Sequence, residues 1–271
     1  KMKKFVFGAL CALLVLSGCG SEEKDENTLV VGATTAPHAQ ILKFVQDDLE
    51  AEGIQLEIKE FTGYTKINAA LDEGSLDANY FQHEVYLNGY NEDAGSDLVS
   101  VGAIHYEPLG IYAMDPAGKT SISLDDVNEG DVIAVPNDAT NEARALLLLE
   151  KYGIIKLKEG VGVKATKLDI VENPKNVDIQ EIEASQLPRQ LESVTFAVIN
   201  GNYALDADII DKVIVTEDKE DEAAITYANI VAVRKEDKDN ENVKKLVEIL
   251  KSEKTQQYIN DTFNGTVVPS K

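Results

Sequence analysis

The sequence predicts an α/β protein of two lobes joined by two extended crossings. Three observations lead there. A β-α-β-α-β succession of hydrophobic patterns occupies residues 29–81 and recurs over residues 132–199. The stretches 99–113 and 225–233 are apolar or alternating without a helical period, as crossings between lobes would be. Helical patterns at 241–250 and 255–263 follow the second crossing and are placed to return to the first lobe.

Each element has a local reason. Residues 29–33, LVVGA, are a short apolar strand, and TTAPH (34–38) is the loop after it. Residues 39–52 put Ile41, Leu42, Val45 and Leu49 on one helical face, and Gly53 stops the helix. Residues 56–61 alternate as a strand. Thr62 is placed to cap a helix running to about Glu73, Gly74 ends it, and 76–81 form the third strand. In the second unit, 132–135 is a strand, PNDAT (136–140) a loop, and 141–152 a helix stopped by Gly153. Residues 154–176 read as a hairpin or as a loop with one helical turn. Residues 177–182 form a strand, 185–191 a short helix, and 196–199 a strand running into NGNY (200–203). The expected lobes are 29–112 with 230–271, and 113–229.

The N-terminal region stands apart from this body. Lys3 and Lys4 precede an apolar run of 12 residues, 5–16. That run is too short to span a bilayer as a helix and suits the core of a signal peptide. Leu16-Ser17-Gly18-Cys19 follows, and it resembles the lipobox of bacterial lipoproteins. The resemblance implies cleavage before Cys19 and a lipid on its sulfur. Residues 1–18 are then the signal peptide and 19–28 a charged, flexible tether. Cys11 leaves with the signal and Cys19 is acylated, so the mature chain keeps no free thiol. Gly20, not Asp, follows Cys19, and no retention signal of the Gram-negative inner-membrane kind is visible. The expected location is the extracytoplasmic face of the cell membrane, on a Gram-positive surface rather than in a Gram-negative periplasm.

The chain has 271 residues, with 26 Lys+Arg against 48 Asp+Glu and a formal net charge of −22. This argues against nucleic acid as a partner, since that needs basic patches. It also means that an anionic ligand has to be held locally, against the general field. The stretch PNDATNEARALLLLEKYG (136–153) places Arg144 near the front of a helix. A cation there opposes the helix dipole unless an anion meets it. In open α/β sheets, ligands sit beyond the carboxyl ends of the strands, near helix N-termini. The loops so selected bring Phe61, Tyr64, Tyr80, Phe81, His83 and Tyr86 from the first lobe, and Asn137, Asn141, Arg144, Asn200 and Asn202 from the second. One wall is aromatic and the other is polar with one cation, which suits an amino acid with an apolar side chain. With Asp138 or Thr140 as helix cap, Arg144 is read as the partner of the ligand carboxylate. The plain alternative is a solvated surface arginine.

The segments VGATTAPHAQIL, GSLDANYFQHEVYL, VGAIHYEPLGIY, VPNDATNEARALLLLEKYG, DIVENPKN and FAVINGNYAL resemble the methionine-binding lipoproteins that serve ABC importers, the NlpA-type lipoproteins. The resemblance covers essentially the whole mature chain. It implies a two-lobed periplasmic-binding-protein fold, type II-like, and methionine or a related amino acid as ligand. It also implies delivery to an importer's permease and ATPase complex, with no cofactor. Carried over residue by residue, the family's ligand contacts fall on Tyr64, Phe81, His83, Asn141, Arg144, Asn202 and Asn229, with Tyr86, His105 and Asn200 as further matches. Ala139 stands where relatives often carry Pro.

Two other readings compete. His38, His83 and His105 all fall in expected cleft loops, and with a nearby Glu or Asp they would make a Zn or Mn receptor. That leaves Arg144 unexplained. His105 and Glu107 would pair as base and orienter in an enzyme, but the chain carries no G-x-S-x-G, no phosphate loop and no H-E-x-x-H. For the anchor, Cys19→Ser is expected to release the protein to the soluble fraction or leave it uncleaved, because firm retention needs the acyl chains. Fractionation and mass spectrometry check this, and normal cleavage with unchanged membrane retention would contradict it.

Overall fold

The computed structural model describes residues 27–114, 123–218 and 225–270. The expected signal peptide, the expected lipidation site Cys19 and most of the expected tether lie outside the described residues. Strands covered on both faces must be apolar along their length. β1 (Thr28–Thr34) is buried from Leu29 onward, and β10 (Phe196–Ile199) is buried throughout. β3 (Ala78–His83) is equally buried yet carries Asn79, Gln82 and His83, so these must find partners inside. Asn68 supplies them for the first two. Its Oδ1 accepts from Asn79 Nδ2 at 2.9 Å and Gln82 Nε2 at 2.7 Å, and its Nδ2 donates to Gln82 Oε1 at 2.8 Å.

The first sheet has the order β13-β4-β12-β3-β1-β2, with β2 at Gln55–Phe61, β4 at Val99–Tyr106, β12 at Ala228–Val233 and β13 at Val268–Pro269. β1, β2 and β3 run parallel, and β12 lies antiparallel between β3 and β4. α1 (Gln40–Ala51) buries Ile41, Leu42, Val45 and Leu49. These pack with Leu246 and Leu250 of α7 (Glu241–Leu250) and with Ile259 and Phe263 of α8 (Glu253–Phe263). The C-terminal helices therefore return to the first lobe, as the sequence suggests.

The second sheet has the order β11-β5-β10-β6-β9, with β5 at Gly110–Tyr112, β6 at Val132–Pro136, β9 at Asp178–Ile182 and β11 at Val213–Thr216. The parallel core β9-β6-β10 repeats the arrangement of β2-β1-β3: the second strand of the unit, then the first, then the third. Each lobe then adds one antiparallel strand beside its third: β12 beside β3, and β5 beside β10. α4 (Ala139–Lys151) packs on this sheet through Ala143, Leu146 and Leu149. Residues 154–176 are a hairpin of β7 (Lys156–Leu157) and β8 (Ile170–Glu172) with two short 3-10 turns between them.

Several expectations are corrected. Gly110–Tyr112 pairs with β10 and β11 in the second sheet, although the sequence reading gave it to the first lobe. Ala228 and Asn229 pair in the first sheet, not the second. Thr28 already pairs with Gln55 and so belongs to the sheet rather than to the tether. Thr62 caps no helix: α2 (Ile67–Asp72) starts later, without a side-chain cap. Residues 84–86 are not loop but the start of α3 (Glu84–Ala94), and after α5 (Leu187–Gln190) NGNY opens α6 (Gly201–Asp206). β11 and β13 are additions. α3 lacks a strong apolar face, since only Leu87 is buried, and its start is fixed instead by the His83 cap. Among the described residues, no helix is long and apolar enough to cross a membrane.

The chain thus passes from the first sheet to the second between Tyr106 and Gly110, and back between Thr216 and Ala228.

Candidate functional site

Residues at or just beyond the carboxyl ends of β3, β6 and β10 line a small cavity between the two sheets. Tyr64, Phe81, Gln82, His83, Tyr86 and Asn229 come from the first lobe, Asn141, Arg144, Asn200, Gly201 and Asn202 from the second, and Glu107 from the first crossing. Tyr64, Phe81 and Tyr86 touch one another, with ring centroids 5.7–5.8 Å apart, and make one aromatic wall.

The polar wall is built from capping interactions. Asp138 is the N-cap of α4 and accepts from the Asn141 backbone N–H at 3.0 Å. Asn141 Nδ2 also donates to Asp138, at 2.9 Å, which turns Asn141 Oδ1 into the cleft. His83 Nδ1 accepts from the Tyr86 backbone N–H at 3.1 Å, capping α3. Its other nitrogen, Nε2, then carries the proton and donates to Asn141 Oδ1 at 3.2 Å. Asn200 Nδ2 donates to the same oxygen at 3.0 Å. Asn200 Oδ1 is left buried without a partner among the described residues. Tyr64 OH donates to Asn202 Oδ1 at 2.5 Å. The His83 and Tyr64 bonds each join one lobe to the other, so this arrangement is closed.

Arg144 sits on the second turn of α4 and is buried. The sequence reading leaves its planar fork for a ligand carboxylate. In the structure, that fork is engaged by Glu217: Nε donates to Oε1 at 2.8 Å and Nη2 to Oε2 at 2.6 Å. Nη2 also donates to the Glu107 backbone oxygen at 2.9 Å. The guanidinium carbon lies 4.3 Å from the Tyr227 ring centroid. Nη1 has no hydrogen-bond partner among the described residues, so one edge of the fork remains. Burial works against the charge on Arg144, but Glu217 outweighs it and holds the proton more firmly than usual. Burial likewise disfavours the Glu217 carboxylate. Arg144, the Tyr106 hydroxyl (2.6 Å) and the Leu109 N–H (2.9 Å) overcome it, and hold Glu217 below the usual carboxylate range.

Glu107 occupies the floor. His105 Nε2 donates to its Oε1 at 2.7 Å, and His38 Nε2 lies 3.4 Å from the same oxygen and 2.9 Å from Asn229 Oδ1. The Nδ1 atoms of these rings face the Thr34 and Tyr80 hydroxyls. Burial raises the Glu107 carboxyl, while His38, Arg144 and the Asn202 N–H oppose the rise. All three histidines are held neutral. Burial pushes His38 down to about 4, with Glu107 opposing; it pushes His105 down to about 3; and burial with Arg144 pushes His83 down to about 3.

The three-histidine metal site is therefore not assembled. His38, His105 and Glu107 do cluster, with donor atoms within 4.8 Å of one another, but His83 lies apart on Asn141. Every ring nitrogen of the cluster already faces a protein partner.

The sequence profile of NlpA lipoproteins matches residues 29–271. The chain belongs to the NlpA lipoprotein family. It is 43% identical over 274 aligned positions to the D-methionine-binding lipoprotein MetQ of Salmonella typhimurium, covering 99% of this chain and 98% of that one. Its fold matches a nutrient-binding protein from Burkholderia cenocepacia bound to methionine, with a TM-score of 0.83 and 43% identity over 90% of this chain and 100% of the other. Lipoprotein Tp32 from Treponema pallidum aligns with a TM-score of 0.83 at 36% identity, over 91% of this chain and 100% of the other. The two-lobed binding-protein fold is common to the family.

Nine of the ten residues expected to contact ligand line the cavity; His105 lies behind it, holding Glu107. Gln82, Gly201 and Glu107 line it without having been expected as ligand contacts. Glu217 is the largest omission. It sits in the acidic run EDKEDE (217–222), which reads as a solvated charge cluster; the signal that it turns inward is the apolar VIV just before it, left unread as a strand.

The neutral histidines set a pH dependence. In the unfolded chain they take protons near the ordinary 6.5, whereas His38 resists to about 4 and His83 and His105 to about 3. Between those limits the unfolded state binds more protons, so stability falls as pH falls, by about 1.4 kcal/mol per pH unit for each such histidine. Glu107, raised by burial, binds its proton earlier in the folded state and offsets part of the loss. The unfolding midpoint is expected to drop steadily from pH 7 to pH 4, and less so for His105→Gln. A midpoint constant over that range would contradict the assignment.

Proposed function

We propose that this chain is a lipid-anchored extracytoplasmic receptor, not an enzyme, that captures methionine or a close derivative between its lobes. It hands that ligand to the permease and ATPase complex of an ABC importer. The observation that carries the reading is the cavity itself. Three aromatic rings face a guanidinium edge and a buried amide oxygen without a partner, in a chain 43% identical to a methionine-bound protein. The ligand carboxylate meets Arg144 Nη1. Its ammonium meets Asn200 Oδ1, with the Glu107 carboxylate beyond. The thioether lies against Tyr64, Phe81 and Tyr86, where each sulfur–ring contact contributes about 0.3–1.5 kcal/mol. His83, Asn141, Asn202 and Asn229 frame the polar end, and His105 fixes Glu107 from behind. The His105–Glu107 pair has the Tyr80 hydroxyl on its far side, and the burial of both rings and of Glu107 suits a pair that positions the cavity floor.

The proposed lobes follow the strands: 28–106 with 228–271, and 110–216, with the crossings between them. Cys19 carries the lipid, and the receptor faces outward from a Gram-positive membrane. Because Glu217 already neutralises Arg144, the carboxylate contributes at the lower end of what buried charge pairs do, about 2–3 kcal/mol. Methionine methyl ester is expected to bind roughly 30- to 150-fold more weakly than methionine. Norleucine, without the sulfur, is expected to lose at most about tenfold. Calorimetry on ligand-stripped protein with L- and D-methionine, the ester and norleucine checks this. Equal affinity for methionine and its ester would contradict the assignment of Arg144.

A further inference from the structure

α3 carries a glycine in its interior, Gly89, where glycine weakens a helix through its backbone freedom. Its φ is not positive, so no unusual backbone conformation calls for it. The steric surroundings do. A β-carbon at Gly89 would stand 3.3 Å from Thr140 Cγ2, and apart from its chain neighbours and the adjoining helix backbone it would meet no other atom within 4 Å. Carbon atoms in contact prefer about 3.5–4.0 Å, so even a methyl group there would press on Thr140. Thr140 is the second residue of α4, in the second lobe. Nothing packed around Gly89 in its own lobe forbids a side chain; the closed arrangement of the two lobes does.

The place of this contact gives it a role. Gly89 lies three residues after Tyr86, on the same face of α3, and Thr140 immediately precedes Asn141. Tyr86 and Asn141 line the cavity, whereas Gly89 and Thr140 do not. The two helices therefore meet just outside the cavity, beside the His83–Asn141 bond that joins the lobes. Thr140 Oγ1 donates to Asp138 Oδ1 at 3.2 Å, which holds its side chain in place. Gly63 offers a comparison. A β-carbon there would lie 3.6 Å from Glu183 Oε1 of the second lobe, an ordinary contact. Of these two approaches between the lobes, the one at Gly89 has no slack.

We infer that Gly89 is the closure stop of this receptor: its missing side chain lets α3 reach the Thr140 methyl, and that contact sets how far the lobes close and how tightly they hold a ligand it never touches. A ligand bound by both walls is held in proportion to how accessible the closed state is, so a wedge beside the cavity lowers affinity from outside the site. The inference rests on the receptor reading above, and the test separates the two. The ligand-stripped mature protein is compared with Gly89→Val, Thr140→Ser, Gly63→Ala and the Gly89→Val/Thr140→Ser double variant. Calorimetry measures binding of L-methionine and norleucine, and thermal unfolding is followed without ligand. Thr140→Ser removes the methyl and keeps the hydroxyl that bonds Asp138. Gly89→Val weakens methionine binding at least tenfold, and norleucine by the same factor. Its ligand-free midpoint is no lower than the parent's, because its own lobe has room. Thr140→Ser and Gly63→Ala bind within twofold of the parent. The double variant regains at least threefold of the loss, a coupling that a damaged helix would not show. Binding by Gly89→Val at the parent's affinity would overturn the closure stop. So would a lowered ligand-free midpoint, since the glycine would then serve its own lobe, or equal losses in Gly89→Val and the double variant. Failure of the parent to bind methionine would remove the receptor reading, and the inference with it.

Discussion

A guanidinium that is 96% buried stays charged only if a counter-charge is built beside it, and here that role falls to Glu217. Arg144 is 4% exposed and Glu217 8%, and two of the guanidinium nitrogens donate to the carboxylate. Glu217 belongs to the returning crossing. It also accepts from Tyr106 and Leu109 at the outgoing one, and its backbone N–H donates to the Leu109 oxygen at 2.9 Å. Arg144 adds its own bond to the Glu107 oxygen. One ion pair therefore holds the two crossings side by side and fixes them to α4. Breaking such a pair by removing one partner leaves a buried charge unanswered, at a cost of about 3–5 kcal/mol. The edge of Arg144 proposed for the ligand is presented by the same arrangement, which ties the proposed ligand position to the geometry of the crossings.

Around this pair, the histidines and amides carry no net charge of their own, and Glu107 and Asp138 are the further acidic groups. The three histidines are neutral donors with fixed tautomers, set at His83 by the backbone N–H facing Nδ1 and at His38 and His105 by the oxygen acceptors facing Nε2. The Asn68–Asn79–Gln82 amides satisfy one another. Buried amides need no counter-ion, and their orientation is fixed once the network closes. A zwitterionic ligand suits such a site, because it brings equal and opposite charges to a place that can answer each one locally.

Much of this was legible in the sequence. The two β-α-β-α-β units were readable because their strands are apolar runs and their helices stop at Gly53, Gly74 and Gly153, each with positive φ. The aromatic and asparagine walls followed from the rule that ligands gather beyond strand ends. What escaped was non-local. α3 has little apolar periodicity and starts on a histidine cap. Gly110–Tyr112 reads as extended, and only pairing with β10 and β11 decides which sheet it joins. Glu217 is 73 residues from Arg144, in a run whose composition suggests solvent. No local pattern states that a distant carboxylate will fill the fork of an arginine.

The central claim is that ligand occupancy and lobe closure are one event, because the same cavity wall is made by both lobes. Tyr64–Asn202 and His83–Asn141 bonds span the cleft in the closed arrangement. A ligand that touches both walls favours closure by its differential affinity for the two states. Small-angle scattering of the ligand-stripped mature protein, titrated with methionine, measures this directly. The account predicts a radius of gyration that falls as methionine is added and saturates with the same midpoint as calorimetric binding. An unchanged radius, with binding confirmed in the same sample, would contradict it.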